Sequence, residues 1–291
     1  MRRDDAILRE TRWLCWVVVA VLVPAVVVLW GFPGNTEDFW SWPIAADLSQ
    51  IFMGAGYCAG AYFFTRAALA SRWHTVSAGV LSAAFFAAVI CVVTIVHWDS
   101  FNHGDAPFWA AFAFYAWVII YGAAPFVVGG LWLRNQRTDP KQPEPGEPIV
   151  SAGVRLAART MAVALGAAAL ALLLWPSLAV DHGPWALTPA TTRALAAYAA
   201  QVAFGALLIS REERWGSWRI LLQAFLVATA LLLVGVARAW DEIETGRAAA
   251  WIFLVGLVGM ALAILALYRR MEGQLRVSSG ASSSRASPSA P

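Results

Sequence analysis

Eight long apolar segments constrain the fold of this chain more than any other feature of its sequence. A helix needs roughly 20 apolar residues to cross a bilayer core of about 30 Å, and spanning helices satisfy their own backbone hydrogen bonds. Only 13% of the 291 residues are charged and 60% are hydrophobic, which is too little polar surface for a water-soluble globule. We therefore predict an all-α polytopic membrane protein of about eight transmembrane helices. The segments are 13–32, 44–65, 75–96, 108–133, 157–179, 191–209, 218–237 and 249–268.

Basic residues predict the orientation of these helices. When the N-terminus is placed inside, 18 of the 21 Lys and Arg residues fall on the cytoplasmic side. Only Arg193, Arg238 and Arg247 fall outside. Cytoplasmic loops carry such an excess of Lys and Arg. We therefore expect both termini in the cytoplasm, and the first apolar segment to stay as an uncleaved helix because it is longer than a signal-peptide core.

An internal repeat divides the chain into two halves. Uncommon residue types recur at a constant separation of 142 residues, first in Arg72-Trp73, Trp98-Asp99 and Trp109, then in Arg214-Trp215, Trp240-Asp241 and Trp251. Each half then holds four helices, an even number, so both enter the membrane in the same direction and form two parallel repeats. The predicted regions are a first repeat at 1–133, a Pro-rich cytoplasmic linker at 134–156, a second repeat at 157–272 and a disordered Ser/Pro-rich tail at 273–291.

These paired blocks, with the Trp-Ala-Leu-Thr-Pro segment at 185–189, resemble polytopic membrane proteins encoded in actinobacterial genomes. The resemblance spans residues 13–270 and implies no assigned activity and no functional residues. Of the 21 basic residues, 20 are Arg, which is typical of a GC-rich bacterial genome. We expect the protein in the bacterial plasma membrane.

Polar groups near the interface of the halves form the first candidate site. Ionisable residues in a membrane are costly and raise a functional question. Asp47 in the second segment matches Arg193 in the sixth when Pro43 is aligned with Pro189, so the two could pair and close the outer mouth of a cavity. The alternative is a solvated or capping Asp47 and an Arg193 that reaches the headgroups. We expect a cavity here to be lined by Asp47, Gln50, Tyr57, Arg193 and Gln201.

Two further sets of polar residues lie at the outer ends of helices. Asp99 and Asp241 occupy matched positions, and Arg238 lies one turn before Asp241, which favours a local pair that fixes loop geometry. Imidazole and carboxylate groups also suit transition metals. The low-ranked metal candidates are His97, Asp99, His103 and His182. No recognised metal motif joins them, and we expect neither a metal nor another cofactor.

Three hypotheses of function remain open. The first is a permease-like or small-ligand-binding protein with a cavity between the repeats. The second is a non-catalytic scaffold or accessory subunit that meets a second copy or a membrane partner through Gly/Ala-rich helix faces. The third and weakest is an intramembrane enzyme that uses the outer His and Asp residues. No GxSxG, HExxH, Walker A or dinucleotide motif occurs, and no basic stripe suits nucleic acid. The lipid bilayer is the one partner that all three share.

Overall fold

The computed structural model describes residues 4–285, with side chains for residues 4–276. Within this range the chain is all-α and has no strand longer than an isolated bridge, so the predicted fold class is confirmed. Eight helices are long and two, α2 and α7, are short. The ten helices are α1 (Arg9–Val26), α2 (Thr36–Phe39), α3 (Asp47–Leu69), α4 (Ser77–Val96), α5 (Phe108–Asn135), α6 (Ala152–Leu174), α7 (Ser177–His182), α8 (Pro189–Ile209), α9 (Trp215–Arg238) and α10 (Ala248–Arg285).

Seven of the long helices are long and apolar enough to cross a membrane, and the chain is a polytopic membrane protein. They are α1, α4, α5, α6, α8, α9 and α10. The remaining long helix, α3, has 23 residues. At 1.5 Å per residue it is about 35 Å long and can also span a bilayer, but it is less apolar than the others.

The position of α3 explains its composition. It lies at the centre of the bundle and packs against α1 on one side and α9 on the other, while α4 packs against α5 and α8. Much of its surface is covered by other helices, and the side chains of Ser49 and Gln50 are buried. The peripheral helices instead present large apolar side chains outward, such as Phe126 of α5 and Ile252 of α10. Lipid is the solvent for these side chains.

Close helix contacts in the core depend on small residues. The ring of Tyr198 on α8 packs against Gly56 of α3, where a Cβ would lie 2.3 Å from the ring. Gly54 lies against the backbone of Trp30, in a π-helical turn at Val27–Gly31 that follows Pro24. Proline removes a backbone donor, and single π turns occur where a helix is interrupted in this way.

The linker is more ordered than its Pro-rich sequence suggests. Helix α5 ends at Asn135 and continues as a 3₁₀ turn over Gln136–Thr138, and α6 begins at Ala152, where the Ser151 hydroxyl caps it. The irregular residues between them lie across the bundle end where α3 and α8 finish and α4 and α9 start. We call this the linker end and the other the opposite end.

Helix α10 enters the region of the predicted tail, and the disorder of residues 273–291 stays a prediction. Helix α10 continues to Arg285, so residues 273–285 are helical, and residues 286–291 lie outside the described residues. No proline occurs between Ala248 and Pro288, and Ala, Ser and Arg can all be accommodated in a helix.

Candidate functional site

A buried histidine anchors the linker end. Asp5, in the left-handed conformation (φ 58°), accepts the backbone N–H of Trp73 through its carbonyl at 2.7 Å and that of His74 through Oδ1 at 3.0 Å. The other carboxylate oxygen of Asp5 contacts His74 Nδ1. Both side chains are only 3% exposed. The segment before α1 is thereby fixed to the segment before α4.

The linker supplies a second carboxylate to the same imidazole. Glu147 Oε1 lies 3.5 Å from His74 Nε2 and accepts the backbone N–H of Gly216 at 2.8 Å. Burial lowers the pKa of His74, but the hydrogen bonds with Asp5 and Glu147 outweigh it and raise the value from 6.5 to about 9. Burial raises the pKa of Glu147, but its hydrogen bonds, first with His74, bring it below the usual value. At neutral pH an imidazolium therefore joins two carboxylates.

A second buried ion pair joins the linker to α9. Arg214 donates to both oxygens of Asp139, at 2.8 and 3.2 Å, and the two side chains are 2% and 1% exposed. Glu212 accepts from the same guanidinium at 2.7 Å, and Lys141 lies 3.1 Å from Asp139. Burial opposes ionisation of Asp139, but the bonds from Arg214 and Lys141 hold its pKa well below the usual range.

Between these ionic groups lies a cavity of about 500 Å³. This volume lies within the 300–1,000 Å³ typical of small-molecule sites. One wall comes from the start of α4 and the end of α5, the other from α6 and the α8–α9 junction, and the linker crosses between them. The polar and charged lining residues are His74, Ser77, Gln136, Asp139, Lys141, Arg155, Arg211, Glu212, Glu213, Arg214 and Ser217.

Several donors in this lining are unused. Ser217 is 3% exposed, and its hydroxyl has no hydrogen-bond partner among the described residues. The buried Nε of Arg155 also has none, and its Nη1 lies 3.9 Å from the exposed Glu213. Arg211 is exposed at the cavity lining, and its guanidinium makes no ion pair within residues 4–276. Buried polar groups are normally satisfied, so the Ser217 hydroxyl and the Arg155 Nε mark where a bound acceptor would fit, and the exposed Arg211 adds a positive charge to the same lining.

The predicted residues Asp47 and Gln50 lie together at the opposite end. Gln50 donates to the carbonyl of Ile44 at 2.7 Å and lies 3.4 Å from Asp47 Oδ1. The N-terminus of α3 is capped from the other half, because Glu242 accepts the backbone N–H groups of Asp47 and Leu48 at 2.9 and 2.8 Å. These contacts close the helix end.

Arg193 binds elsewhere. It donates to the carbonyl of Leu173 at 2.8 Å and lies 2.8 Å from Nε2 of His97. Burial and the adjacent Arg193 both lower the pKa of His97, so the neutral ring can accept this bond. The contacts of the described residues include no ion pair between Arg193 and Asp47, and they show no polar partner for Gln201.

Asp99 and Asp241 occupy matching exposed 3₁₀ turns, Trp98–Ser100 and Trp240–Glu242. Arg238 donates to the carbonyl of Trp30 at 2.9 Å and lies over its ring, and it makes no ion pair with Asp241 within the described chain.

The four metal candidates are dispersed. His97 bonds to Arg193, the ring of His103 packs near Phe114, and His182 lies exposed on α7. Across the described residues no three His, Cys, Asp or Glu side chains come close enough to hold a metal ion.

Sequence reasoning missed most of the linker-end site. Asp139 and Glu147 belong to a polar, Pro-rich stretch that resembles a solvated loop, and His74 is a single histidine. The one usable signal was the repeated Arg-Trp pair, because Trp73 and Trp215 make equivalent backbone bonds, to Asp5 and Pro148 respectively.

Comparisons with known proteins add no information about function. No protein-family profile matches the chain, and neither a curated protein nor a solved structure matches it significantly.

Proposed function

We propose that this membrane protein binds a small anionic solute in the linker-end cavity. The observation that carries the proposal is the set of unused donors on Ser217, Arg155 and Arg211 around a space of about 500 Å³. A carboxylate or phosphate would supply acceptors for them, and charge-assisted hydrogen bonds of this kind are the strong ones.

The acceptors of the lining support an anionic rather than a cationic ligand. Asp139 already accepts from Arg214 and Lys141, and Glu212 accepts from Arg214. Of the lining carboxylates only Glu213 is exposed and weakly engaged. A cationic ligand would find only Glu213 available without breaking an existing pair, whereas an anion would complete the bonding of several groups that lack partners.

The location supports a site between two tandem repeats. One wall belongs to the first half and the other to the second, and the element order long, short, long, long, long occurs twice. The arginine bias supports a cytoplasmic linker end in a bacterial plasma membrane. A permease would also need a conformation open at the opposite end, where this structure is filled by aromatic side chains.

Ligand binding can be tested on the full chain in detergent. We expect inorganic phosphate, citrate or succinate to raise the melting temperature saturably, while choline and glycerol do not. Arg155→Gln and Arg211→Gln should each weaken that anion's binding at least about tenfold, because each removes a charged donor. Ser217→Ala should weaken it less.

Arg247→Gln is the matched control, since it removes an arginine at the opposite end that bonds to the carbonyl of Gly183. It should leave anion affinity unchanged. The proposal fails if no anion stabilises the protein saturably, or if Arg155→Gln and Arg211→Gln fold and bind that anion as tightly as the parent.

The scaffold alternative has one observation in its favour. Gly122 and Gly129 of α5, and Gly256 and Gly259 of α10, have open space beside them. Such small residues permit close helix packing in membranes. Native mass spectrometry tests the scaffold alternative. A stable dimer that is disrupted by Gly129→Leu and by Gly256→Leu would support an accessory role.

A further inference from the structure

A second groove at the linker end is basic. It has a volume of about 220 Å³ and lies between the end of α3 and the start of α9. Three arginines line it, and no carboxylate is among the lining residues. The residues that line the groove are Arg66, Leu69, Ala70, Ser71, Arg72, Thr75, Gly216, Arg219 and Ile220.

Arg66 has only neutral partners. Its Nη1 donates to the hydroxyl of Tyr62 at 2.8 Å and to Oε1 of Gln223 at 2.9 Å, and its guanidinium lies 5.7 Å from the Tyr62 ring. It makes no ion pair with any described residue. These contacts fix the side chain in place without cancelling its charge.

The other two arginines are neutralised from outside the groove. Arg219 donates a hydrogen bond to Glu272 at 2.8 Å, and Arg72 forms an ion pair with Glu144 at an N–O distance of 2.6 Å. Three guanidinium groups and two carboxylates leave one net positive charge, on Arg66.

A chain of hydrogen bonds fixes the positions of the Arg66 and Arg219 side chains relative to each other. Gln223 accepts from Arg66 and donates to the hydroxyl of Tyr268 at 2.6 Å, and that hydroxyl accepts from Arg219 at 3.4 Å. A site with prearranged donors binds more tightly, because less conformational freedom is lost on binding.

The groove lies at headgroup depth. Arg66 is three residues from the end of α3 and Arg219 is the fifth residue of α9, so each is roughly 5 Å from a helix end. Leu69, at the mouth, is 68% exposed and offers an apolar contact. A phospholipid places its phosphate at this depth and its acyl chains alongside the helices.

We propose that this groove binds the phosphate of an anionic phospholipid. Guanidinium groups match phosphate oxygens in geometry and charge. A zwitterionic headgroup would bring an amine for which the groove offers no carboxylate. Basic pockets between helices on the cytoplasmic side recognise anionic lipids by this chemistry. A free phosphate ester is the other source of the same group.

Native mass spectrometry of the full chain tests the proposal. The protein is incubated with equal amounts of phosphatidylglycerol and phosphatidylcholine in detergent micelles. We expect phosphatidylglycerol to be retained about fivefold over phosphatidylcholine, and Arg66→Gln to abolish most of that preference, since one basic residue near a membrane surface contributes roughly this factor. Arg66→Lys should retain part of it.

Arg238→Gln at the opposite end is the control and should leave the preference unchanged. If Arg66→Gln does not fold, Arg72→Gln replaces it, because the Arg72 side chain is exposed and its removal should also lower retention of phosphatidylglycerol.

Glycerol 3-phosphate displacing the lipid at equal concentration would show that a soluble phosphate ester is the ligand. Equal retention of both lipids, or an unchanged preference in a folded Arg66→Gln protein, would overturn the proposal. Anion binding in the larger cavity should not respond to Arg66→Gln, so the two proposals can fail separately.

Discussion

The two ends of the helix bundle are closed by different kinds of interaction. At the linker end, buried charges join the N-terminal segment, the linker and the helix starts, through the Asp5–His74–Glu147 contacts and the Asp139–Arg214 pair. At the opposite end, side chains pack as an aromatic cluster that reaches the middle of α3 and α5, with ring centroids 4.3 to 6.2 Å apart. Its members are Trp40, Trp42, Tyr57, Phe101, Trp117 and Tyr121.

This contrast separates an end that is held by buried ion pairs from an end that is packed mainly by aromatic side chains. The buried indole N–H groups of Trp40 and Trp42 have no partner in the described chain, and ring packing accounts for most of the contacts in the aromatic cluster. The linker end instead depends on ionised groups and contains the cavity. A ligand or a change of pH should therefore act on the linker end first, while the opposite end stays closed.

The largest effect is expected when a buried charge loses its partner. Arg214→Met leaves Asp139 buried without its guanidinium and should lower the free energy of unfolding by about 3–5 kcal/mol. Unfolding in mixed dodecyl sulfate micelles, followed by tryptophan fluorescence, measures this loss.

Arg72→Met is the matched control because Arg72 occupies the corresponding place in the first half. Its pair with Glu144 is about half exposed, so the loss should be no more than about 1 kcal/mol. Equal losses in the two variants would show that the buried Arg214 pair contributes no more to stability than the half-exposed Arg72 pair.

The next effect is a loss of stability at alkaline pH. The folded protein raises the pKa of His74 from 6.5 to about 9, so its contribution is complete below pH 6.5 and is lost as pH rises through 9. This contribution is at most about 3 kcal/mol. The charged groups that face the ring are Asp5, Glu147 and Arg214. Unfolding free energies between pH 6 and pH 9.5 should show the loss.

His74→Gln should be less stable at pH 6 and should show a flatter dependence up to pH 9.5. A variant that retains the full alkaline loss would assign it to another group. On the acid side the sign is reversed. The pKa values of Asp139 and Glu147 are lowered, so their stabilisation is complete above the ordinary values of 3.8 and 4.5 and is lost progressively as pH falls below them.

The fold was largely predictable because hydropathy depends on local composition. The segment 108–133 became Phe108–Asn135, and 191–209 became Pro189–Ile209. Even the less apolar α3 was found, since its interior carries no charge between Asp47 and Arg66. The helix ends were less accurate: α6 begins at Ala152, five residues before its predicted segment, because Ser151 can cap it.

The linker-end site was not predictable in the same way. Asp47 and Arg193 were predicted as site residues because each is a charged residue inside an apolar segment. Asp139 and Arg214 lie just outside such segments and are 75 residues apart, so their burial depends on how the linker folds back over the helix ends. Hydropathy carries no information about that contact.

The smallest effect should come from the aromatic cluster. The hydroxyls of Tyr57 and Tyr121 are 2.9 Å apart and buried. Tyr57→Phe removes this bond while keeping the ring, so it should cost only about 0.6 kcal/mol, the average for hydrogen bonds between membrane helices. Tyr57→Phe combined with Tyr121→Phe should cost less than the sum of the single changes, because both remove the same bond.

The alkaline loss of stability should be unchanged in either variant. A Tyr57→Phe variant that altered the pH dependence would mean that the aromatic cluster and the linker end are coupled through the bundle, and the separation of the two would have to be abandoned.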